Sequence, residues 1–130
     1  MDKETQEKLV QLQLIHQQLR HFQQQLGMLE QQTMELQQTK MSIAELAGVE
    51  KNKPIFVPIA SGIFAKARWD GEGTFLVNVG AGSTVEKGKD DVDRLVEEQL
   101  VEAEKIKNEL MEQVKKLVEH AGKLEEQIKP

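Results

Sequence analysis

Cysteine and tyrosine are absent from this sequence of 130 residues, and its aromatic residues are four phenylalanines and one tryptophan. The lack of cysteine excludes disulfide bonds, thiolate metal ligands and cysteine nucleophiles, and is typical of proteins from a reducing compartment such as the cytoplasm. Hydrophobic residues make up 38% of the chain and aromatic residues 4%. This composition indicates that the chain does not build a single large globular core.

Basic clusters and long apolar runs are missing as well. The formal net charge is -5, and no block of lysine and arginine of the kind that tracks phosphates is present. No run approaches the roughly 20 apolar residues that cross a membrane, and the first residues lack the apolar core of a signal peptide. We therefore expect a cytoplasmic protein that binds neither nucleic acid nor membrane.

Two long segments at either end of the chain carry a heptad pattern. In residues 5–47 apolar side chains recur every seven residues in two series, which only Thr33 and Lys40 interrupt. Residues 90–129 carry the same pattern with one polar interruption, at Lys107. Two apolar positions per heptad are typical of a two-stranded coiled coil, whereas a helix on a globular body shows a third. The pattern predicts two helices that pair with each other.

The two predicted helices match in length, at roughly 65 and 60 Å for a rise of about 1.5 Å per residue. Because the middle of the chain returns between them, they are expected to run antiparallel. This arrangement sets Ile43 near Leu95 and Leu12 near Leu124, with the two chain ends at one tip.

Residues at the helix ends give further boundary signals. Gly48 follows the first heptad segment and is predicted to be a left-handed C-terminal cap. Asp90 or Asp91 is predicted to cap the second helix and to place negative charge at its start.

The middle segment, residues 53–86, has the alternation and turn residues of short β-strands. Turns are predicted at residues 60–62, 70–73 and 80–82. Phe75, Val77 and Val79 are predicted to lie on one face of a strand, and the residues between them on the other face. Hairpins of this length with open edges are marginal in water by themselves. We therefore expect the strands to pair between subunits.

The glycine-rich stretch VNVGAGSTVEKGKDD could be mistaken for a phosphate-binding loop. A dinucleotide fingerprint that begins at Gly80 and Gly82 needs a third glycine where Val85 stands. A P-loop needs glycine at Ser83 and a hydroxyl at Asp90, whose carboxylate would repel phosphate. Both patterns fail, and the stretch is interpreted as strand, turn and strand.

Metal and catalytic sites are not predicted either. His16 flanks the heptad seam whereas His21 lies away from it, so the two do not form a ligand pair on one face. The acidic residues Asp90, Asp91 and Asp93 lack the alternation and the glycine of a calcium-binding loop. Glutamates on the second helix alternate with lysines on open surface. We expect no enzyme activity, no cofactor and no metal.

Some apolar residues lie off the heptad seam near the chain ends. Leu9, Val10 and Leu14 do so on the first helix and Val118 on the second. Scattered surface apolar residues are common. Their clustering at one tip nevertheless favours a second interpretation, a site for apolar ligands.

The segments VPIASGIFAKA and FLVNVGAGSTVEK, between the two helices, closely resemble the alpha class of prefoldin subunits, and the resemblance covers nearly the whole chain. It implies an α+β fold: a long antiparallel two-helix coiled coil joined by two short β-hairpins that assemble into an oligomeric β-barrel platform. The oligomerisation residues it implies are Ile55, Val57, Ile59, Ile63, Phe64, Phe75, Val77, Val79 and Val85.

The resemblance also implies a function and partners. Prefoldin subunits hold unfolded polypeptides without ATP and pass them to a group II chaperonin, and alpha subunits combine with beta subunits in a hexamer. A related gamma type builds homo-oligomeric filaments, so a structural filament or spacer subunit remains the alternative. The implied client-binding residues at the tip are Leu9, Val10, Leu12, Leu14, Ile15, Val118, Ala121, Leu124 and Ile128.

Overall fold

The structure is a computed structural model in which residues 2–128 are described. It confirms the predicted α+β fold, with two long antiparallel helices and two β-hairpins between them. In chain order the elements are α1 (Lys3–Ala47), β1 (Pro54–Ala60), β2 (Ile63–Arg68), β3 (Thr74–Gly80), β4 (Ser83–Gly88) and α2 (Lys89–Ile128).

Helix α1 begins two residues earlier than predicted because Asp2 caps it. The backbone N–H of Thr5 donates a hydrogen bond of 2.7 Å to Oδ1 of Asp2, which satisfies one of the free donors of the first turn. Hydrogen bonding from the side chain of Thr5, and second from its backbone N–H, lowers the pKa of the Asp2 carboxyl.

The C-terminal end of α1 differs from the prediction. The glycines with positive φ do not include Gly48, so a left-handed cap at this residue was wrong. The N–H of Gly48 donates to the carbonyl of Glu45, and the N–H of Val49 donates to that of Leu46. These tight bonds to the third residue back satisfy the last carbonyls without a left-handed residue.

Helix α2 begins at Lys89, directly after β4, so the predicted cap at Asp90 or Asp91 was also wrong. Both aspartates lie inside the first turn, where negative charge still stabilises the N-terminus of a helix. Nζ of Lys89 donates to Asp93 at 2.7 Å and this hydrogen bond raises the pKa of Lys89. The predicted end at residue 129 lies outside the described residues.

The chain forms two compact units, of which the first contains residues 2–34 and 100–128 and is called the distal arm. Its core consists of Ile15, Ala121 and Leu124, which are buried together. Half-buried residues pack against this core, namely Leu12, Leu19 and Leu117. Contact of Leu12 with a cluster that contains Leu124 confirms the antiparallel pairing predicted from the heptads.

The second unit, residues 35–99, contains both hairpins and is called the hairpin unit. Ile43, Val92 and Val96 are its buried apolar residues on the helices. Lys40, which interrupts the heptad pattern, donates a hydrogen bond of 2.8 Å from Nζ to Oε2 of Glu97 on α2. This hydrogen bond raises the pKa of Lys40.

The two hairpins are built to the same plan. The first pairs Pro54 with Arg68 at its open end, and the second pairs Thr74 with Gly88, each 20 residues further along the chain. Both registers shift at the same point, so that Ile59 in β1 and its counterpart in β3 are bulge residues. Because β4 continues to Gly88, the strand segment is longer than the predicted residues 53–86.

Both hairpins turn through two residues with positive φ, which is the type I′ geometry that matches the twist of the strands. The φ angles are 47° and 79° for Ser61 and Gly62, and 51° and 75° for Ala81 and Gly82. Alanine is strained in this region because its Cβ approaches the following carbonyl. Ala81 is therefore a local weak point of the second hairpin.

Replacing Ala81 by asparagine should stabilise the protein, because asparagine tolerates positive φ and Asn-Gly is a preferred type I′ pair. We expect a gain of about 0.5–1 kcal/mol in the free energy of unfolding. Denaturant titration at a fixed subunit concentration measures it. Ala81→Val is the control and should destabilise the chain. Equal midpoints for both variants would contradict the strain at this turn.

Candidate assembly and client-binding surfaces

The hairpins expose much of the apolar surface of the chain. Phe56 and Leu76 are the most exposed of these side chains, at 70% and 69% of their surface. We call the exposed set the strand surface; its members are Phe56, Val57, Ile59, Ile63, Phe64, Leu76, Val79 and Val85. Apolar side chains in such a concentration on short, two-stranded sheets are typical of an interaction surface.

The predicted oligomerisation residues divide between this surface and a more protected face. Ile55, Phe75 and Val77 are half-buried, and the other six belong to the strand surface. Val79 was predicted to alternate with Phe75 and Val77, but its side chain is 55% exposed because the bulge at this residue interrupts the alternation.

Phe56 and Leu76 are absent from the set implied by the sequence. Each follows another large apolar residue, Ile55 and Phe75 respectively, and a pair of adjacent apolar residues in a strand signals that both faces of the sheet become covered. The repeat of this pair after 20 residues is the signal that would have found them.

The equivalent positions of the two hairpins differ in charge. Lys66 is the cross-strand partner of Phe56 in the first hairpin, whereas Glu86 is the partner of Leu76 in the second. Directly opposite residues of an antiparallel pair lie on the same face, so each exposed apolar side chain has an ionised neighbour. The neighbours have opposite signs.

The connection between the hairpins is held by Trp69 and Phe75, whose half-buried rings lie 6.1 Å apart between centroids. The N–H of Asn52 donates to the carbonyl of Trp69, and the N–H of Trp69 donates to the carbonyl of Lys53. These bonds extend the pairing of the first hairpin beyond β1 and fix where the second begins.

On the distal arm, three of the predicted tip residues are well exposed. Val10, Leu14 and Val118 expose 56%, 54% and 54% of their side chains. Three others are half-buried, namely Leu9, Leu12 and Ile128. The remaining three, Ile15, Ala121 and Leu124, form the core cluster and leave little surface for a client.

Two of the open grooves on the distal arm are lined by both helices. The first has an apolar floor and a polar rim, and it is lined by Leu14, Gln17, Gln18, His21, Phe22, Gln113 and Leu117. The second lies where Thr33 and Lys107 interrupt the heptads, and it is lined by Leu26, Leu29, Glu30, Thr33, Glu104, Lys107 and Met111. Each draws residues from both helices.

Neither a group of metal ligands nor a helix fit to cross a membrane is found among the described residues. Within residues 2–128, no three histidine or acidic side chains are grouped so that they could hold a metal ion. In the same part of the chain, neither helix combines the length and the apolar content that a membrane span requires.

Antiparallel helices with two exposed, apolar β-hairpins between them define a class of coiled-coil proteins that carry an open strand surface. The profile of the prefoldin subunit family matches residues 15–129, and the chain belongs to this family. The two hairpins between the helices are the alpha-class architecture. Prefoldin subunits are non-enzymatic and assemble into oligomers or filaments.

The structure is similar to that of a chain of filamentous prefoldin from Methanocaldococcus jannaschii, determined by cryo-electron microscopy. The TM-score is 0.80 and the identity 16%, and the match covers 88% of this chain and 95% of that one. At this identity the likeness shows the fold alone. No curated protein matches the chain significantly.

Proposed function

We propose that the chain is a subunit of an ATP-independent chaperone of the cytoplasm. It captures non-native polypeptides at the ends of its coiled-coil arms and delivers them to a group II chaperonin. Beta-type prefoldin subunits are its proposed partners, joined through the hairpins. The observation that carries the proposal is the exposure of Val10, Leu14 and Val118 on the distal arm. Helices that serve only as spacers gain nothing from apolar side chains held in water.

Three of the predicted tip residues are buried between the helices and are not assigned to the first contact with a client. Ile15, Ala121 and Leu124 are available only where the paired helices separate. First contact with a client is therefore assigned to Val10 and Leu14 on α1 and to Val118 on α2. Because an assembly presents several arms, weak contacts at each arm add to a useful avidity.

The test is the aggregation of a chemically unfolded protein after dilution from denaturant, followed by light scattering without nucleotide. The chain is assayed alone and with a beta-type subunit, and native mass spectrometry gives the composition of each assembly. We expect suppression of scattering without ATP. An assembled protein that leaves aggregation unchanged at a severalfold molar excess would overturn the chaperone proposal.

A second candidate function is that of a self-assembling filament or spacer subunit of the gamma type. The specific observation is the opposite charge of Lys66 and Glu86 at equivalent positions of the two hairpins. The first hairpin of one copy then complements the second hairpin of another in charge as well as in apolar surface. The similar protein from M. jannaschii is described as filamentous.

A charge exchange tests self-assembly through these positions. Lys66→Glu alone and Glu86→Lys alone should each shorten homo-oligomers, because like charges then meet across the interface. The double variant restores the complementarity and should restore the length, as measured by light scattering and electron microscopy of the purified chain. A wild-type chain that stays monomeric by itself, or a double variant no longer than the single ones, would reject this candidate.

A further inference from the structure

The two grooves of the distal arm lie on opposite flanks of the heptad seam and differ in charge. The first is rimmed by Gln17, Gln18 and Gln113, together with His21, and contains no lysine, arginine, aspartate or glutamate. The second contains Glu30, Glu104 and Lys107 among its lining residues.

Glutamine recurs along the uncharged flank at one heptad position of each helix. We call these glutamines the amide flank; they are Gln11, Gln18, Gln25 and Gln32 on α1 and Gln113 and Gln127 on α2. The α2 series also contains Ile106 before Gln113, and His120 between Gln113 and Gln127. Between Leu9 and Leu29 the only lysine, arginine, aspartate or glutamate is Arg20, which belongs to the outer surface of α1 by heptad position. A run of this length without alternating charge is unusual for the surface of a coiled coil, which normally carries ion pairs beside the seam.

The amide groups of this flank have no hydrogen-bond partner within the part of the chain that the structure describes. Within residues 2–128, no glutamine side chain makes a hydrogen bond with another protein group. The nearest ionised positions on α2, Glu109 and Lys116, lie one step further out in the heptad and have opposite signs. Near the start of α1, Gln11 shares an open groove with Lys3 and Glu7, which also have opposite signs. The flank therefore offers hydrogen-bond donors and acceptors without net charge.

We infer that the amide flank binds the backbone of an extended, uncharged stretch of a non-native polypeptide. Each glutamine presents a carbonyl acceptor and an NH₂ donor, which match the N–H and C=O that every peptide unit offers, whatever its side chain. The groove floor of Leu14, Phe22 and Leu117 accepts apolar side chains of the same stretch. This inference rests on the proposed holding function and names the class of client segment that the arm selects.

The spacing of the flank supports this occupant. Glutamines seven residues apart on a helix are separated by about 10.5 Å along its axis, and three residues of an extended chain span about 10 Å. An extended polypeptide parallel to α1 therefore meets a glutamine at about every third residue. Neutral amides bind the peptide backbone without any charge on the flank. A charged flank would instead select charged client segments, and salt would weaken that binding.

The test is the affinity of the assembled protein for a labelled, end-capped peptide of about 20 residues made only of Ser, Thr, Ala, Leu and Gln. Fluorescence anisotropy of this peptide is compared for the wild type and for Gln18→Met with Gln113→Met. Methionine keeps the length, flexibility and helix propensity of glutamine but removes its hydrogen bonds. We expect the Kd to rise about fivefold, and the Kd of the wild type to change little between about 0.1 and 0.5 M salt.

The matched control is Gln13→Met with Gln24→Met, two exposed glutamines on the outer surface of α1, which should leave the Kd unchanged. An N-methylated version of the peptide, which lacks backbone donors, should bind the wild type more weakly. Unchanged or tighter binding after Gln18→Met with Gln113→Met would mean recognition by apolar contact alone and would overturn the inference. A wild type that suppresses aggregation but does not bind the peptide overturns only this inference, whereas failure of both assays also removes the proposed function.

Discussion

A chain carrying Phe56→Asp and Leu76→Asp should stay monomeric, with a mass close to the 14.8 kDa of one chain, under conditions in which the wild type assembles into oligomers. Both side chains are about two-thirds exposed in the single chain, so the substitutions leave the packing of the subunit intact. Burial of a phenylalanine or leucine side chain contributes about 1.5–3 kcal/mol. A carboxylate in the same interface costs several kcal/mol when it has no partner. We expect the assembly constant to fall by at least about a hundredfold.

Native mass spectrometry and sedimentation measure this change, and circular dichroism checks that the helices persist. The control variant Gln24→Glu with Gln38→Glu adds the same two negative charges at exposed positions of α1, away from the strand surface. It should assemble as the wild type does. Normal assembly of the aspartate variant would show that the strand surface is not the interface between subunits.

The second large effect is expected at the end of the distal arm. Val10→Ala, Leu14→Ala and Val118→Ala together remove apolar surface that a bound client would cover, at about 0.8 kcal/mol per buried methylene. For a client that covers half of this surface, each arm loses about 3 kcal/mol of binding free energy. The losses of the several arms that hold one client add, so the affinity of the assembly falls further. We expect the subunit concentration for half-maximal suppression of aggregation to rise at least about tenfold.

This variant should still assemble, because its substitutions lie outside the hairpins. The matched control, Met34→Ala with Met41→Ala and Val101→Ala, removes three apolar side chains elsewhere on the helices that are at least as exposed as those of the arm end. Alanine favours helix in both sets, so thermal unfolding should shift little. Equal loss of suppression in the two variants would show that general apolar surface, and not the arm end, holds the client.

The arms were well predicted from the sequence because a heptad is a local pattern. The spacing of apolar residues predicted Leu12 near Leu124, and Leu12 packs against the cluster that contains Leu124. It also marked Lys40 as an interruption of the seam, for which the structure supplies a partner in Glu97. Turns at residues 60–62 and 80–82 were also predicted, from glycines between alternating apolar runs, and the structure adds that both have type I′ geometry.

Helix ends were predicted less well, because a cap depends on the direction in which the chain leaves the helix. Gly48 is the residue type that favours a left-handed C-terminal cap. The helix instead ends with hydrogen bonds from the N–H groups of Gly48 and Val49 to the carbonyls three residues before them. Asp90 has the composition of an N-cap, but β4 continues to Gly88 and the helix begins one residue before the aspartate. In both cases the following or preceding strand decides the end of the helix.

The sequence by itself determined the antiparallel helix pair, the two hairpins and the prefoldin resemblance. Heptads, turns and short motifs are local patterns, and two heptad segments of similar length joined by a returning segment pair antiparallel. Only the tertiary structure decided which apolar residues meet water. Burial of Ile15 and exposure of Leu14 follow from the partner helix, and Phe56 and Leu76 are exposed because no other described part of this chain covers their face of the hairpins. The two flanks of the distal arm likewise became distinct only when residues of both helices were brought side by side, since charge on a groove depends on both of its walls.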